Sequence, residues 1–199
     1  MTYNKPDTKL DECICVAEKV IPFDFCDAIV KDIETRPWQT HEWYSNFHRD
    51  RVSHKTKELD IQDATPELHK ELTSNITQAA RMYNDNYAYK HPSCIEKTGQ
   101  IMTRFSHIRF NRYATGQTMR QHHDHIHSLF DGNEKGIPVL SFILNFNDDY
   151  EGADLYFWKD TMVKLGKGDI CMFPSNFLFP HGVTEATKGT RYSAVCWGW

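Results

Sequence analysis

The sequence predicts a mainly β fold with flanking helices, of the α+β class. From residue 101 onward, short runs rich in β-branched and aromatic residues are separated by turn signals such as Gly166-Lys167-Gly168. Before that point, apolar residues recur at helical spacing in two segments. Eight short strands in one half of the chain indicate a sandwich or a jelly roll.

The N-terminal half is predicted to support this β core. Cys13 to Ile21 alternates as a strand does, and the following helix, with Asp24 as its N-cap, is expected to run to about Thr35. A longer amphipathic helix begins at Pro66, with Thr65 as its N-cap. Residues 38–57 lack a regular pattern, and we expect either a solvated loop or a flap over a substrate groove.

The C-terminal half is predicted to contain the β core itself. Its strands are expected at Phe105 to Tyr113, Thr118 to His122, Pro138 to Phe146, Asp154 to Trp158, Met162 to Leu165, Asp169 to Phe173, His181 to Thr184 and Arg191 to Trp197. At 199 residues the chain is large enough for one core and too short for two full domains. We therefore expect a single domain, with residues 1–99 as support and residues 100–199 as the core.

Composition excludes several classes of protein. With 40% hydrophobic and 25% charged residues, the chain is too apolar overall for a disordered protein. The chain has a net charge of -4 and no concentrated basic region, which disfavours nucleic acid as a partner. The six cysteines form no C-x-x-C pair, so neither zinc knuckles nor a disulfide framework is indicated. The sequence has no secretion signal and no membrane span, and we expect a cytoplasmic protein of unspecified oligomeric state.

The segment Gln121-His122-His123-Asp124-His125 contains a candidate metal site. His122 and Asp124 are two residues apart and project to one side of a strand end, and His181 follows downstream. Two histidines and one carboxylate form the facial triad that holds Fe(II) and leaves positions open for oxygen chemistry. Alone, the motif has two rivals: a cupin-like site at His123, His125 and His127, and a histidine-rich surface loop.

The order of motifs around this segment resembles the Fe(II)- and 2-oxoglutarate-dependent dioxygenases, in particular the prolyl-4-hydroxylase-like branch. The likeness covers roughly residues 100–199 and favours His122 over His123 as a ligand. It rests on Arg112-Tyr113-Ala114-Thr115-Gly116, His122-His123-Asp124, Ile143-Leu144-Asn145, Glu151-Gly152-Ala153-Asp154-Leu155-Tyr156-Phe157, Gly168-Asp169, His181-Gly182-Val183 and Gly189-Thr190-Arg191. This resemblance implies a double-stranded β-helix, a jelly-roll or cupin-like core, with His122, Asp124 and His181 at one end.

The resemblance also implies roles for other residues. Arg191, ten residues after His181, would pair with the distal carboxylate of 2-oxoglutarate, which suits a guanidinium. Ser193 would add a hydroxyl there, and Tyr113 would lie near the cosubstrate. The chain departs from the animal prolyl hydroxylases at Ile143, where a tyrosine is common. Ala153 also replaces the second glycine of a Gly-Gly segment.

The function that this resemblance implies is hydroxylation of a C–H bond, with a peptidyl proline as substrate and succinate and CO2 as products. The cofactors would be Fe(II), 2-oxoglutarate and O2, with ascorbate in a supporting role. Arg120 and Trp197 are candidate substrate contacts, and residues 38–57 and the loop from His125 to Gly136 are candidate groove walls. Two alternatives remain open: the same chemistry on a free amino acid, another small molecule or a nucleobase, and a cupin-like metal-binding module without turnover.

Overall fold

The computed structural model describes residues 9–45, 50–52, 58–90, 102–124 and 136–199. A short 3-10 helix, Leu10–Cys13, precedes the first strand, and the two α-helices are α1 (Phe23–Ile33) and α2 (Pro66–Lys90). The strands are β1 (Cys15–Ala17), β2 (Gln39–Thr40), β3 (Trp43–Ser45), β4 (Asp50–Val52), β5 (Asp60–Asp63), β6 (Arg109–Ala114), β7 (Met119–His122), β8 (Leu140–Asn145), β9 (Glu151–Gly152), β10 (Leu155–Phe157), β11 (Thr161–Val163), β12 (Ile170–Pro174), β13 (His181–Val183), β14 (Ala186–Lys188) and β15 (Thr190–Gly198).

Two facing antiparallel sheets form the core of the molecule. The larger sheet has the order β1-β12-β8-β15-β6-β5-β2, and the smaller sheet has the order β11-β10-β13-β7. From β6 onward the chain passes back and forth between the two sheets, because β6, β8, β12 and β15 lie in the larger sheet and β7, β10, β11 and β13 lie in the smaller one. The fold is a double-stranded β-helix, and the predicted fold class is confirmed.

The larger sheet is buried on both faces. Its outer face packs against α1 and α2, whose apolar stripes include Ile29, Ile33, Leu72 and Ile76. Its inner face packs against the smaller sheet in a second cluster, around Phe157 and Phe173. Alternation along the strands sends successive side chains to these two clusters, so the inner face alone can supply the residues of a site between the sheets.

The helix starts test the predicted capping residues. Leu68 N donates a hydrogen bond to Thr65 Oγ1 at 3.3 Å, so Thr65 caps α2 as expected. The expectation for α1 is wrong by two positions: Pro22 is the N-cap residue, and Asp24 lies in the first turn. An acidic side chain there still stabilises the helix through its dipole. In the part of the chain that the structure describes, no helix is long and apolar enough to cross a membrane.

The N-terminal segments depart from expectation in two further places. The strand predicted from Cys13 to Ile21 is shortened to the three residues of β1, because Lys19 adopts a left-handed turn with φ 54° and its backbone N donates to Asp169 Oδ1. Residues 38–57 were expected to be irregular, but they contain β2, β3 and β4. Residues 46–49 and 53–57 of that segment lie outside the described residues, as does most of the predicted loop from His125 to Gly136.

Candidate metal centre and cosubstrate pocket

His122, Asp124 and His181 meet at one end of the two facing sheets. His122 ends β7, His181 begins β13, and the two are direct partners in the register of the smaller sheet. Asp124 lies two residues beyond β7, with its Oδ1 3.7 Å from His122 Nε2 and 3.9 Å from His181 Nε2. The three ligand atoms lie within 4.8 Å of one another, which is close enough for all of them to bind one metal ion.

The two imidazoles are held in the tautomer that a metal requires. The Nδ1 of His122 lies 3.0 Å from the carbonyl oxygen of Arg120, and the Nδ1 of His181 lies 3.0 Å from that of Phe179. A carbonyl oxygen only accepts hydrogen bonds, so each Nδ1 carries a proton and each Nε2 is the ring nitrogen that can bind a metal ion. Burial, followed by the neighbouring His181, lowers the pKa of His122 to about 4, so this ring is neutral at physiological pH.

The carboxylate of Asp124 is also oriented by its neighbours. The Ser141 hydroxyl donates to Asp124 Oδ2, and the hydroxyl oxygens of Ser141 and Ser175 lie 2.5 Å apart. Burial alone would raise the pKa of Asp124, but His181, His122 and the hydrogen bond from Ser141 outweigh it, and the net pKa lies below the usual range. Asp124 is therefore ionised and turns Oδ1 toward the two imidazoles. Two neutral imidazoles and one carboxylate are the donor set that suits Fe(II).

Arg191 lies in the interior of the barrel with an incomplete set of partners. Its exposed fraction is 1%, its Nε donates to Asn145 Oδ1 and its Nη1 donates to the Ala153 carbonyl, each at 2.9 Å. Its Nη2 is buried without a hydrogen-bond partner, and no carboxylate among the described residues forms an ion pair with it. A buried cation without an anion is unfavourable, so this arrangement suits the carboxylate of a bound molecule.

Ala153 keeps the conformation that a glycine would provide. It has φ 49°, in the left-handed region, and it follows Gly152 with φ 72°. A non-glycine residue in this region is destabilised by roughly 1 kcal/mol. The conformation turns the Ala153 carbonyl toward Arg191, so the replacement of the second glycine leaves the contact with Arg191 in place.

One cavity contains both the metal ligands and Arg191. Its volume is about 410 Å³ including the open mouth, and its lining consists of Arg109, Asn111, Tyr113, Met119, His122, Asp124, Ile143, Leu155, His181, Val183, Arg191, Ser193, Val195 and Trp197. Tyr113, Ser193 and Trp197 therefore line this cavity, and the roles given to them from the sequence stay predictions. The Tyr113 hydroxyl donates to Met119 Sδ, and burial raises the pKa of Tyr113, so its phenol is neutral. Ile143 makes its part of the wall apolar.

Arg120 lies outside this lining, next to an N-terminal wall that sequence reasoning missed. Its guanidinium carbon is 4.4 Å from the centre of the Trp43 ring, and its Nε is 3.7 Å from Glu58 Oε1. The Trp43 indole N–H donates to Glu58 Oε2, and its ring packs edge-on against His122 with 5.2 Å between centroids. His41 Nδ1 also lies 3.4 Å from Glu58 Oε2. The N-terminal half thus contacts His122, a candidate metal ligand, directly.

Five other residues of the site were also missed. Asn145 and Ser141 hold Arg191 and Asp124, and Arg109 and Asn111 line the cavity. Arg109 and Asn111 could have been predicted from the sequence, because every second residue of a strand faces the same side and both lie at that spacing from Tyr113. Ser175 had no such signal, since it reaches Ser141 from a neighbouring chain segment. Of the rival histidines, His123 is exposed, and His125 and His127 lie outside the described residues.

Comparisons with known proteins agree with this geometry. Residues 108–199 match the model of the 2OG-Fe(II) oxygenase superfamily. A PKHD-type hydroxylase of Idiomarina loihiensis is 35% identical over 95 residues, which cover 45% of this chain and 40% of the relative. The chain thus matches about two fifths of the length of the curated relatives that resemble it.

Two solved structures share the fold. A viral collagen prolyl hydroxylase from Paramecium Bursaria Chlorella virus-1, solved as a 2OG complex, superposes with a TM-score of 0.61 at 16% identity and covers 93% of this chain and 94% of its own. A prolyl hydroxylase from Trichoplax adhaerens, in complex with a hypoxia inducible factor peptide fragment, superposes with a TM-score of 0.65 at 13% identity, covering 94% and 84%. Residues 108–199 are thus similar to the 2OG-Fe(II) oxygenase superfamily, and the chain shares its fold with solved prolyl hydroxylases.

Proposed function

We propose that this protein is an Fe(II)- and 2-oxoglutarate-dependent dioxygenase that hydroxylates a C–H bond of a peptidyl proline. The observation that carries the proposal is the shared cavity. At one end three ligand atoms face one another with their lone pairs free, and at the other end a buried guanidinium has an unpartnered N–H. A metal ion and an anion are the two ligands that such a cavity would bind together.

Each residue has a distinct role in this proposal. His122, Asp124 and His181 would hold Fe(II), and Arg191 would pair with the far carboxylate of 2-oxoglutarate through its free Nη2. Ser193 would contribute a hydroxyl beside Arg191. The bound metal, with 2-oxoglutarate and O2, would supply the oxidising power, and the reaction would give succinate, CO2 and the hydroxylated product.

The remaining lining residues restrict access of water to this chemistry. Leu155, Val183 and Ile143 make apolar walls, and Arg191 and Tyr113 lie behind them with exposed fractions of 1% and 2%. A closed, weakly polar pocket strengthens the ion pair between a guanidinium and a carboxylate. The cosubstrate would therefore be fixed before the organic substrate enters.

A peptidyl proline is proposed as substrate because of the form of the mouth and the identity of the fold neighbours. Trp197 lines the cavity near Asp124 and offers an aromatic face against which a pyrrolidine ring can pack. The two solved structures described above are prolyl hydroxylases, and one of them was solved with a peptide fragment. These facts favour a peptide or protein substrate over a nucleobase.

Succinate formation tests this function. Purified protein is mixed with Fe(II), 2-oxoglutarate, ascorbate and oxygen, with and without proline-rich peptides, and succinate and the hydroxylated peptide are measured. We expect succinate that depends on peptide, and no succinate from the His122→Ala variant. Peptide-independent succinate would contradict the proline substrate, and a small-molecule screen would then follow. No succinate under any condition would favour a metal-binding module without turnover.

A further inference from the structure

Strand β6 carries a second arginine into the cavity. Arg109, Asn111 and Tyr113 alternate along β6, and all three line the cavity. In the register with β15, Tyr113 lies opposite Arg191, whereas Arg109 lies opposite Val195, four residues further along. Four residues of antiparallel strand span roughly 13 Å. The two arginines therefore belong to different levels of the pocket, and Arg109 belongs to the level of Trp197.

At that level, no carboxylate of the described residues lies within ion-pair distance of Arg109. Its Nε donates to the neutral amide oxygen Asn111 Oδ1 at 3.2 Å, and its guanidinium carbon lies 5.9 Å from the centre of the Trp197 ring. Within the described part of the chain it forms no ion pair. Burial lowers the pKa of Arg109, while Tyr113, Asp124 and Asp63 raise it. An arginine nevertheless stays charged at physiological pH.

The charges that line the cavity leave an excess of positive charge. Arg109, Asp124 and Arg191 are the Arg, Lys, Asp and Glu residues of the lining, and histidines bind a metal ion through neutral rings. Fe(II) bound beside Asp124 would carry a net single positive charge, and the two arginines would each add one more. The dianion of 2-oxoglutarate would cancel two of these three charges. One positive charge would remain, on the side of the pocket where Arg109 and Trp197 lie.

We infer that Arg109 is an anion-binding subsite that takes a carboxylate of the organic substrate, separate from the carboxylate site at Arg191. This inference rests on the proposed function and narrows its substrate to an anionic one. The carboxylate would belong either to an acidic residue beside the hydroxylated position or to the free C-terminus of the hydroxylated residue itself. The distance between levels favours the substrate as its source, because 2-oxoglutarate is a five-carbon chain already held by Arg191 and the metal.

The test compares matched probes that differ only in charge. Parent protein is loaded with Fe(II) and 2-oxoglutarate without oxygen, and the visible metal-to-cosubstrate band is followed as each probe is added. N-acetylproline is compared with N-acetylprolinamide, and N-acetyl-prolyl-aspartate amide with N-acetyl-prolyl-asparagine amide. We expect at least one carboxylated probe to perturb the band at about tenfold lower concentration than its neutral partner, the preference that one charge-assisted contact gives. The pair that shows this preference identifies the source of the carboxylate.

Variants of Arg109 complete the test. In Arg109→Met the preference for the carboxylated probe should disappear, in Arg109→Lys part of it should return, and the titration with 2-oxoglutarate should remain as in the parent. Equal binding of charged and neutral probes by the parent overturns the inference without any variant. A loss of 2-oxoglutarate binding in Arg109→Met also overturns it, because Arg109 would then serve the cosubstrate. Absence of the band in the parent would instead contradict the proposed function.

Discussion

Among the described residues, side chains from both halves of the chain contact the metal end of the pocket, whereas the residues that hold Arg191 through hydrogen bonds come from the C-terminal half. Trp43 packs on His122, and Glu58 holds Trp43 in place. Arg191 is held by Asn145 and Ala153, both within residues 108–199 that match the oxygenase superfamily. The residues that hold Arg191 thus lie within the matched region, and those that pack on His122 lie partly before it.

The two ends also share a principle of construction. At each end of the pocket, hydrogen bonds to some atoms of a side chain fix its orientation, and another atom of the same side chain remains available for a bound molecule or ion. Backbone carbonyl oxygens accept hydrogen bonds from Nδ1 of the two histidines, and the Ser141 hydroxyl donates one to Asp124 Oδ2. Asn145 and Ala153 accept hydrogen bonds from Nε and Nη1 of Arg191, and Nη2 has no partner. The two ends can therefore be disabled separately, and the predictions below test this separation in order of expected effect.

The largest effect is expected from the metal ligands. Asp124→Ala removes the one carboxylate that both imidazoles face, and metal affinity should fall by more than roughly 100-fold, beyond the loss typical of outer-shell partners. Calorimetric titration with Fe(II) without oxygen measures it. The exposed neighbour His123 supplies the control, since His123→Ala should bind metal as the parent does. Loss of metal binding in the control variant would instead favour the cupin-like arrangement.

The next effect belongs to the opposite end. Arg191→Met should weaken 2-oxoglutarate binding by roughly 100-fold, because a charge-assisted pair is lost in a buried pocket. The metal affinity in the absence of 2-oxoglutarate should stay unchanged, because the hydrogen bonds of Arg191 include none of the three candidate metal ligands. Lys188→Met, at an exposed residue of β14, is the matched loss of a cation and should leave both affinities as they are. If Arg191→Met also lost the metal, the two ends would not be independent.

A smaller effect is expected at Ser141, which contacts the candidate ligand Asp124. Ser141→Ala removes the hydrogen bond to Asp124 Oδ2 and should weaken metal binding by about tenfold, as for other residues that orient a ligand. Ser175→Ala removes only the next hydroxyl, so its effect should be smaller. The same calorimetric titration, together with thermal melting of the metal-free variants, separates metal affinity from stability. A larger effect of Ser175→Ala would contradict the order of these contacts.

The smallest effect is expected at the N-terminal wall. Glu58→Gln keeps the size of the side chain but weakens its contacts with Trp43, His41 and Arg120. The KM for a peptide substrate should rise about fivefold, the equivalent of about 1 kcal/mol, while metal and 2-oxoglutarate affinities stay unchanged. Glu42→Gln, at an exposed residue, is the control. A change in 2-oxoglutarate affinity would show that the wall also reaches the Arg191 end.

Sequence patterns predicted the barrel better than its surroundings. The β-rich runs after residue 101 place β6, β7, β8, β10, β11, β12, β13 and β15 with ends that differ by a few residues, because alternation and turn residues mark them. β5 was missed, because Asp60-Ile61-Gln62-Asp63 has little apolar character. This segment is a strand because it pairs with β6, and such a tertiary interaction cannot be read from the local sequence.

The same distinction holds for the site. The spacing of His122, Asp124, His181 and Arg191 suggested one site, and their roles remain predictions that the variants above test. Glu58 could not be found in this way, because a charged residue is expected at the surface and its partners His41, Trp43 and Arg120 come from separate segments. The neutral partners of Arg191 likewise appear only when β8, β15 and the turn at Ala153 come together.

One measurement tests the central claim most directly: an anaerobic titration of the parent protein with Fe(II) and then 2-oxoglutarate, followed by visible absorption. The structure places three candidate metal ligands and one guanidinium nitrogen without a hydrogen-bond partner in a single cavity. We expect a charge-transfer band that saturates at one 2-oxoglutarate per bound iron, and that needs far more 2-oxoglutarate in Arg191→Met. A parent protein that binds iron without developing this band, or a band that forms equally well in Arg191→Met, would contradict the account.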